Sequence, residues 1–246
     1  MIFVIVLIIT AVRIKSMDSH RISGRILAEN IAGPGMLRLV EQSMQARARK
    51  TSVTEIAVKE RKHPQAALTF DDGPDIRYTP LLLDGLKERN VRVSFFLLGE
   101  KVEQYPELVE RMQKEGHLVG NHTYHHVQLN KLNETKAREE ILKTNNLIYE
   151  TTGVYPLYLR PPFGAWKKNL ELCVEMLPVF WTIDTLDWKV QNTEKIVRTV
   201  QEQIEDGAII LMHDEYDTSV EAALQVVDEL KNQGYELVTV DRLILP

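Results

Sequence analysis

A chain of 246 residues with 44% apolar content can bury a sizeable core, and one α/β domain is the simplest architecture for it. Its formal charge of -5, with acids and bases interspersed, lacks the basic footprint that drives nucleic-acid binding, so no nucleic-acid partner is expected. The single cysteine, Cys173, excludes an internal disulfide and a thiolate-only metal site, and reads as a small buried hydrophobe on a helix.

The chain opens on MIFVIVLIITAV, twelve uncharged, largely β-branched residues followed by Arg13 and Lys15. As a helix this run would rise only ~18 Å, short of a ~30 Å hydrocarbon core. It has no basic stretch before it and no small-residue cleavage site, which makes it an imperfect signal peptide. The basic residues that follow run against an exported orientation under the positive-inside rule. Residues 1–15 are still expected to form a membrane-anchor or signal-like segment, shortened at its upstream end, in preference to a buried strand. Residues 16–62 mix charges and small residues around the break Gly33-Pro34-Gly35 and read as a juxtamembrane linker with a short helix over 36–49.

From Ala66 onward, short apolar runs (AALTF, VSFFLL, HLVGN, LYLR, VFWTI, AIILM, ELVTV) alternate with longer segments of helical period such as TPLLLDGLKER, PELVERMQKE and SVEAALQVVDELKNQ. Pro80 and Pro106 sit where first helical turns begin, and Gly116, Gly153, Gly207 and Gly234 follow helical runs as stop signals. Strand–helix alternation implies parallel strands joined by right-handed crossovers, closed as a barrel or wound as an open sheet. Residues 63–246 are expected to form this catalytic domain.

Reactive residues follow the strands with a consistent polarity. Asp71 and Asp72 follow AALTF, His122 follows HLVGN, Arg160 ends LYLR, Asp184 and Asp187 follow VFWTI, and His213 ends AIILM. In a parallel β/α barrel the carboxyl ends of the strands share one face, where active sites are built. Four of the seven histidines crowd into the window from His117 to His126. His122 and His126 are spaced as a single helical turn would place two imidazoles on one face. Asp72 is the natural third ligand, because two imidazoles and one carboxylate with an open position form a catalytic zinc pattern that also suits cobalt. An extended backbone at Asp71 and Asp72 would aim the two carboxylates differently, leaving Asp71 to face the reacting water. His125 and His117 read as supporting or structural residues.

Five segments, TFDDGP, HTYHH, RPPFG, DTLDW and ILMHD, occur in that order across residues 63–246, and together they resemble the NodB-type polysaccharide deacetylases of carbohydrate esterase family 4. The resemblance implies a deformed (β/α) barrel and one divalent metal ion, zinc or cobalt, held by Asp72, His122 and His126. It implies that Asp71 is the general base, that Arg160 holds its carboxylate, and that Thr123 braces the histidine loop. His213 would be the general acid with Asp187 as its partner, the Phe163 N–H would stabilise the oxyanion, and Trp188 and Leu211 would wall an acetyl pocket. Many members carry tyrosine where this chain has Phe163, a change that leaves the main-chain donor in place. Asp184 has no assigned part.

The expected activity is metal-dependent N-deacetylation of an N-acetylhexosamine polymer at the cell envelope. Peptidoglycan is the first substrate expected, with poly-N-acetylglucosamine or chitin-type oligomers next, and loops at 166–169 and 215–219 are expected to line the groove. Opening of a small cyclic amide and inactive glycan binding are the rival readings; the full set of motif residues speaks against the second.

Overall fold

The computed structural model describes residues 63–166 and 176–244. The apolar N-terminal segment, the linker with its helix over 36–49, Cys173 and most of the 166–169 loop lie outside the described residues.

The strands β1 (Gln65–Asp71), β2 (Ser94–Leu97), β3 (Leu118–Asn121), β4 (Tyr158–Leu159), β5 (Leu177–Pro178), β6 (Ile183–Asp184), β7 (Ala208–His213) and β8 (Glu236–Leu237) form one eight-stranded sheet. Its order is β5-β4-β3-β2-β1-β7-β6, every pairing is parallel, and β8 pairs the first two residues of β1 while β2 pairs the last three. The sheet curls into an incomplete barrel, the α/β architecture expected. β5 is one strand more than the apolar runs suggest, since two residues carry no readable period.

Helices α1 (Thr79–Glu88), α2 (Gly99–Gln104), α3 (Pro106–Lys114), α4 (Glu134–Thr152), α5 (Asp187–Val190), α6 (Thr193–Gln203), α7 (Asp217–Asn232) and α8 (Val240–Ile244), with 3-10 turns at Leu129–Lys131 and Pro162–Gly164, complete the element order. Prolines occupy the first turns of α1 and α3, where a missing N–H costs nothing. Asn133 and Asn192 cap α4 and α6 by accepting from Lys136 and Lys195 N–H, and α4 stops at Gly153, whose φ of 73° suits a residue without a Cβ. The short helices α2, α5 and α8 lie in stretches too brief for periodicity to mark. Among the described residues no helix is long and apolar enough to cross a membrane.

Side-chain alternation along the strands decides what enters the barrel. Ala66, Leu68 and Phe70 of β1, Phe95 and Leu97 of β2, and Ala208, Ile210 and Met212 of β7 point outward into the main core. There they meet Leu82, Leu83 and Leu86 of α1, Val109 and Met112 of α3, and Val226, Val227 and Leu230 of α7. The intervening residues therefore face inward: Thr69 and Asp71 on β1, Phe96 on β2, Leu211 and His213 on β7. Register aligns Asp71 with His213, and Asp184 of β6 with Leu211, so the polar residues collect at one end of the barrel.

Gly120 of β3 is a close-approach position: a Cβ there would stand 2.7 Å from the Phe96 ring and 3.1 Å from the Tyr158 carbonyl oxygen. Gly120→Ala is expected to destabilise the domain by about 1–3 kcal/mol through overpacking. An unchanged urea midpoint would show that the interior is looser than described.

Candidate active site

The carboxyl ends of β3, β1 and β7 bring together the residues singled out from the sequence. One carboxylate oxygen of Asp72 and one nitrogen each from His122 and His126 lie within 4.8 Å of one another. Both Nε2 atoms stand 3.4 Å from Asp72 Oδ1, which is buried and has no hydrogen-bond partner. His122 Nδ1 lies 2.7 Å from the Arg160 carbonyl oxygen. A carbonyl only accepts, so Nδ1 carries the proton and the Nε2 lone pair turns toward Asp72. An orphaned carboxylate oxygen facing two imidazole nitrogens at 3.4 Å is the arrangement a divalent cation would satisfy, so the donor set fits the metal.

Electrostatics agree with that fit. Burial alone would raise the Asp72 carboxyl, but its interaction with His122, joined by the charges of His126 and His213, holds it well below the usual carboxylate range. Burial, reinforced by His122 and His213 against the opposing carboxylates, lowers the pKa of His126 and so favours the neutral ring that ligation needs.

The histidine pair is not held by a helical turn. Residues 122–126 form a loop in which Thr123 (φ 68°) and His126 (φ 55°) adopt left-handed conformations, and the loop folds the two rings to 5.1 Å between centroids. The two aspartates likewise diverge because the chain turns left-handed at Asp72 (φ 68°), rather than by continued extension.

Asp71 is buried and receives a hydrogen bond on Oδ1 from Arg160 Nη1 at 2.7 Å, while its Oδ2 lies 3.7 Å from His122 Nε2. Arg160 is 0% exposed: the same Nη1 donates to Thr69 Oγ1 at 2.7 Å, and the guanidinium lies over the Phe96 ring at 4.3 Å. On β7, His213 donates its main-chain N–H to Asp187 Oδ2 at 2.8 Å and holds Asp187 Oδ1 through Nδ1 at 2.7 Å. Burial alone would depress His213, but the hydrogen bond and charge of the fully buried Asp187 outweigh it and push the imidazole up to about 9. Its Nε2 stands 3.8 Å from Asp72 Oδ2.

A cavity of about 450 Å³ opens over these groups, lined further by Phe163, Trp181, Asp184, Leu186, Trp188, Leu211, Glu215 and Tyr216. Phe163 takes a left-handed conformation (φ 59°) and sets its ring 4.5 Å from that of His126, tilted at 56°. Leu211 is buried and Trp188 half exposed. His125 and His117 stay out of the metal cluster: His125 pairs with Glu140 at 2.8 Å, and buried His117 accepts from Val93 N–H at 3.1 Å.

Two supporting residues, Asn121 and Glu140, have no signal in the sequence that identifies them, and a third, Asp184, is singled out there without a part. Glu140 accepts from the N–H groups of Tyr124 and His125, Asn121 Oδ1 accepts from Thr123 N–H at 2.7 Å, and Asp184 Oδ1 accepts from Leu186 N–H at 3.0 Å. Thr123 Oγ1 accepts from Val127 N–H at 3.3 Å, which does brace the loop. Asn121 adjoins HTYHH and Asp184 opens DTLDW; Glu140 is the seventh residue of a helix whose other polar residues are unremarkable in type.

Two imidazoles and a carboxylate with a side left open for another ligand form the donor set of hydrolytic metal centres, here mounted on a curled parallel sheet. The family model described as "Polysaccharide deacetylase" matches residues 58–180, and the chain belongs to that family. It is 42% identical over 185 residues to the peptidoglycan-N-acetylglucosamine deacetylase PgdA of Listeria monocytogenes, covering 75% of this chain but only 40% of that protein. A peptidoglycan-N-acetylglucosamine deacetylase of Bacillus cereus is 36% identical over 72% of this chain and 87% of its own length. The solved structure of the peptidoglycan deacetylase PdaC from Bacillus subtilis superposes with a TM-score of 0.72 at 41% identity, over 74% of this chain and 91% of that one.

The His213–Asp187 pair generates a direct test in metal-free protein. A pKa raised above the unfolded value of ~6.5 stabilises the fold fully below that pH and ceases to do so as pH rises through about 9. NMR titration of metal-free protein should place the His213 transition near 9, and Asp187→Asn should move it down toward the ordinary histidine range. An unmoved transition would refute the pairing.

Proposed function

We propose that this protein is a metal-dependent deacetylase that removes acetyl groups from N-acetylhexosamine residues of peptidoglycan. The observation that carries the reading is the Asp72–His122–His126 cluster, flanked by an Asp71 oxygen that Arg160 leaves free and by the His213–Asp187 pair. The names of the relatives support the glycan, and both N-acetylglucosamine and N-acetylmuramic acid occur among them. Exposed Phe163, Leu186 and Trp188 around the cavity suit a polymer lying across an open cleft better than a small amide enclosed in a pocket. Activity at the extracytoplasmic face of the envelope, with residues 1–15 as the membrane attachment, completes the reading.

A divalent cation, zinc or cobalt, bound by Asp72, His122 and His126 would acidify a water and polarise the acetamide carbonyl. The protein's own groups supply the rest. Asp71 Oδ2 accepts the proton of the attacking water, while Arg160 holds the other oxygen and fixes the carboxylate's direction. The Phe163 N–H donates to the carbonyl oxygen as charge develops there, a contribution of about 3 kcal/mol for one well-aimed donor. His213, protonated through Asp187, delivers the Nε2 proton to the departing nitrogen, so that the C–N bond breaks to give acetate and a free amine. Trp188 and Leu211 enclose the acetyl methyl group and exclude bulk water.

Zinc- or cobalt-loaded protein is expected to release acetate from acetylated peptidoglycan in preference to poly-N-acetylglucosamine and chitin oligomers. Chelation should abolish the release. Asp71→Asn and His213→Ala should each lower kcat about 10²–10⁴-fold with the metal retained, whereas His122→Ala should lose the metal as well. A loaded protein that releases no acetate from any of these glycans defeats the proposal, and full activity of Asp71→Asn defeats the assignment of the base.

A further inference from the structure

His213 is the last residue of β7, and strand alternation sends the next side chain, Asp214, to the far side of the metal turn. Asp214 is 0% exposed, and its Oδ2 accepts a hydrogen bond from Thr79 Oγ1 at the start of α1. That same Thr79 hydroxyl accepts from Asp75 N–H at 2.7 Å, and Leu98 N–H donates to the Gly73 carbonyl oxygen at 3.2 Å. The turn at residues 72–75 is therefore tied to α1 and to the end of β2, and its remaining side rests on the Asp214 carboxylate. A Cβ added at Gly73 would stand 2.5 Å from Asp214 Oδ1 and 3.0 Å from Oδ2. Gly73 does not have a left-handed φ, so it is this contact, rather than backbone conformation, that calls for glycine.

We propose that Asp214 is a positioning residue that sets the distance between the metal ligand Asp72 and the general acid His213, by filling the space that glycine leaves at position 73. The contact joins two motifs 141 residues apart, each of which carries a reactive neighbour: Asp72 beside Gly73, and His213 beside Asp214. A buried side chain clamped by Thr79 cannot swing aside for an added methyl group, so a change at either position displaces the turn. Asp214 Oδ1 is the atom nearest to where a Cβ at position 73 would stand, so the carboxylate and the glycine are fitted to each other. Burial, opposed by the Thr79 hydrogen bond and by Lys101, pushes the Asp214 carboxyl up to about 7, so an amide in its place preserves shape at a modest change of charge.

This inference rests on the roles given above to Asp72 and His213, and reciprocal rescue tests it. Gly73→Ala should weaken zinc affinity about 10–100-fold, as loss of a group supporting a metal ligand does, and lower kcat more than it raises KM. Asp214→Ala in the same chain removes the obstructing carboxylate, so the double variant should bind zinc more tightly and turn over faster than Gly73→Ala alone. Asp214→Asn should keep both properties within a few-fold of wild type. Zinc affinity, by competition with a chromogenic chelator, and acetate release are read well below each variant's thermal midpoint. A double variant no better than Gly73→Ala, or an Asp214→Ala variant that melts earlier but keeps wild-type zinc affinity and kcat, overturns the positioning role while the deacetylase reading stands. Wild-type protein that neither binds zinc nor releases acetate overturns both.

Discussion

The structure turns on one guanidinium withdrawn from solvent. Arg160 is 0% exposed, and its charge is balanced inside the barrel by Asp71, with Thr69 and the Phe96 face as further partners. Desolvating such a cation costs several kcal/mol, which the Nη1 bonds to Asp71 and Thr69 and the contact with the Phe96 ring offset. The same residue acts through its main chain: its N–H donates to Asn121 O at 2.9 Å, and its carbonyl oxygen meets His122 Nδ1 at 2.7 Å. One position thus aims the carboxylate of β1, fixes the tautomer of a candidate metal ligand and joins β3 to β4. Removing the side chain would strand a buried carboxylate, so stability and site geometry depend on the same atoms.

Around that anchor the backbone holds conformations it would not choose. Asp72, Thr123, His126, Phe163 and Leu186 all have positive φ, and all lie in or beside the cleft. Each non-glycine residue held there costs of order 1–3 kcal/mol unless its surroundings determine it. In the histidine loop and at Leu186, Asn121, Glu140 and Asp184 provide that determination by accepting main-chain N–H groups. The chain turns sharply just where strands end, and so the side chains of successive residues separate: Asp71 toward Arg160, Asp72 toward the histidines.

Much of this was legible in the sequence because two signals are local. Strand alternation and motif position predicted that Asp71, His122, Arg160 and His213 would converge at the carboxyl ends of parallel strands, and the sheet brings them there. What escaped depends on conformations that residue type does not encode. The His122–His126 spacing reads as a helical turn, but left-handed Thr123 and His126 produce a loop that achieves the same approach. Glu140 looks like any exposed helical acid until α4 is packed beside the histidine loop, and the tie between Asp214 and Thr79 spans 135 residues. Asp184, without a part in the sequence reading, supports the Leu186 turn that leads into Asp187 and Trp188.

The two ion pairs of the cleft are built in opposite senses, and this difference underlies the division of labour proposed for them. In the Arg160–Asp71 pair the cation is sealed away, and it is the carboxylate that keeps an oxygen near the metal cluster. In the Asp187–His213 pair the carboxylate is sealed away at 0% exposure, and the imidazole keeps Nε2 toward the cleft. A buried cation leaves its partner an acceptor; a buried anion leaves its partner a charged donor. Under the proposed roles, base and acid would stand at paired positions of neighbouring strands, each held by a counter-charge that solvent does not reach.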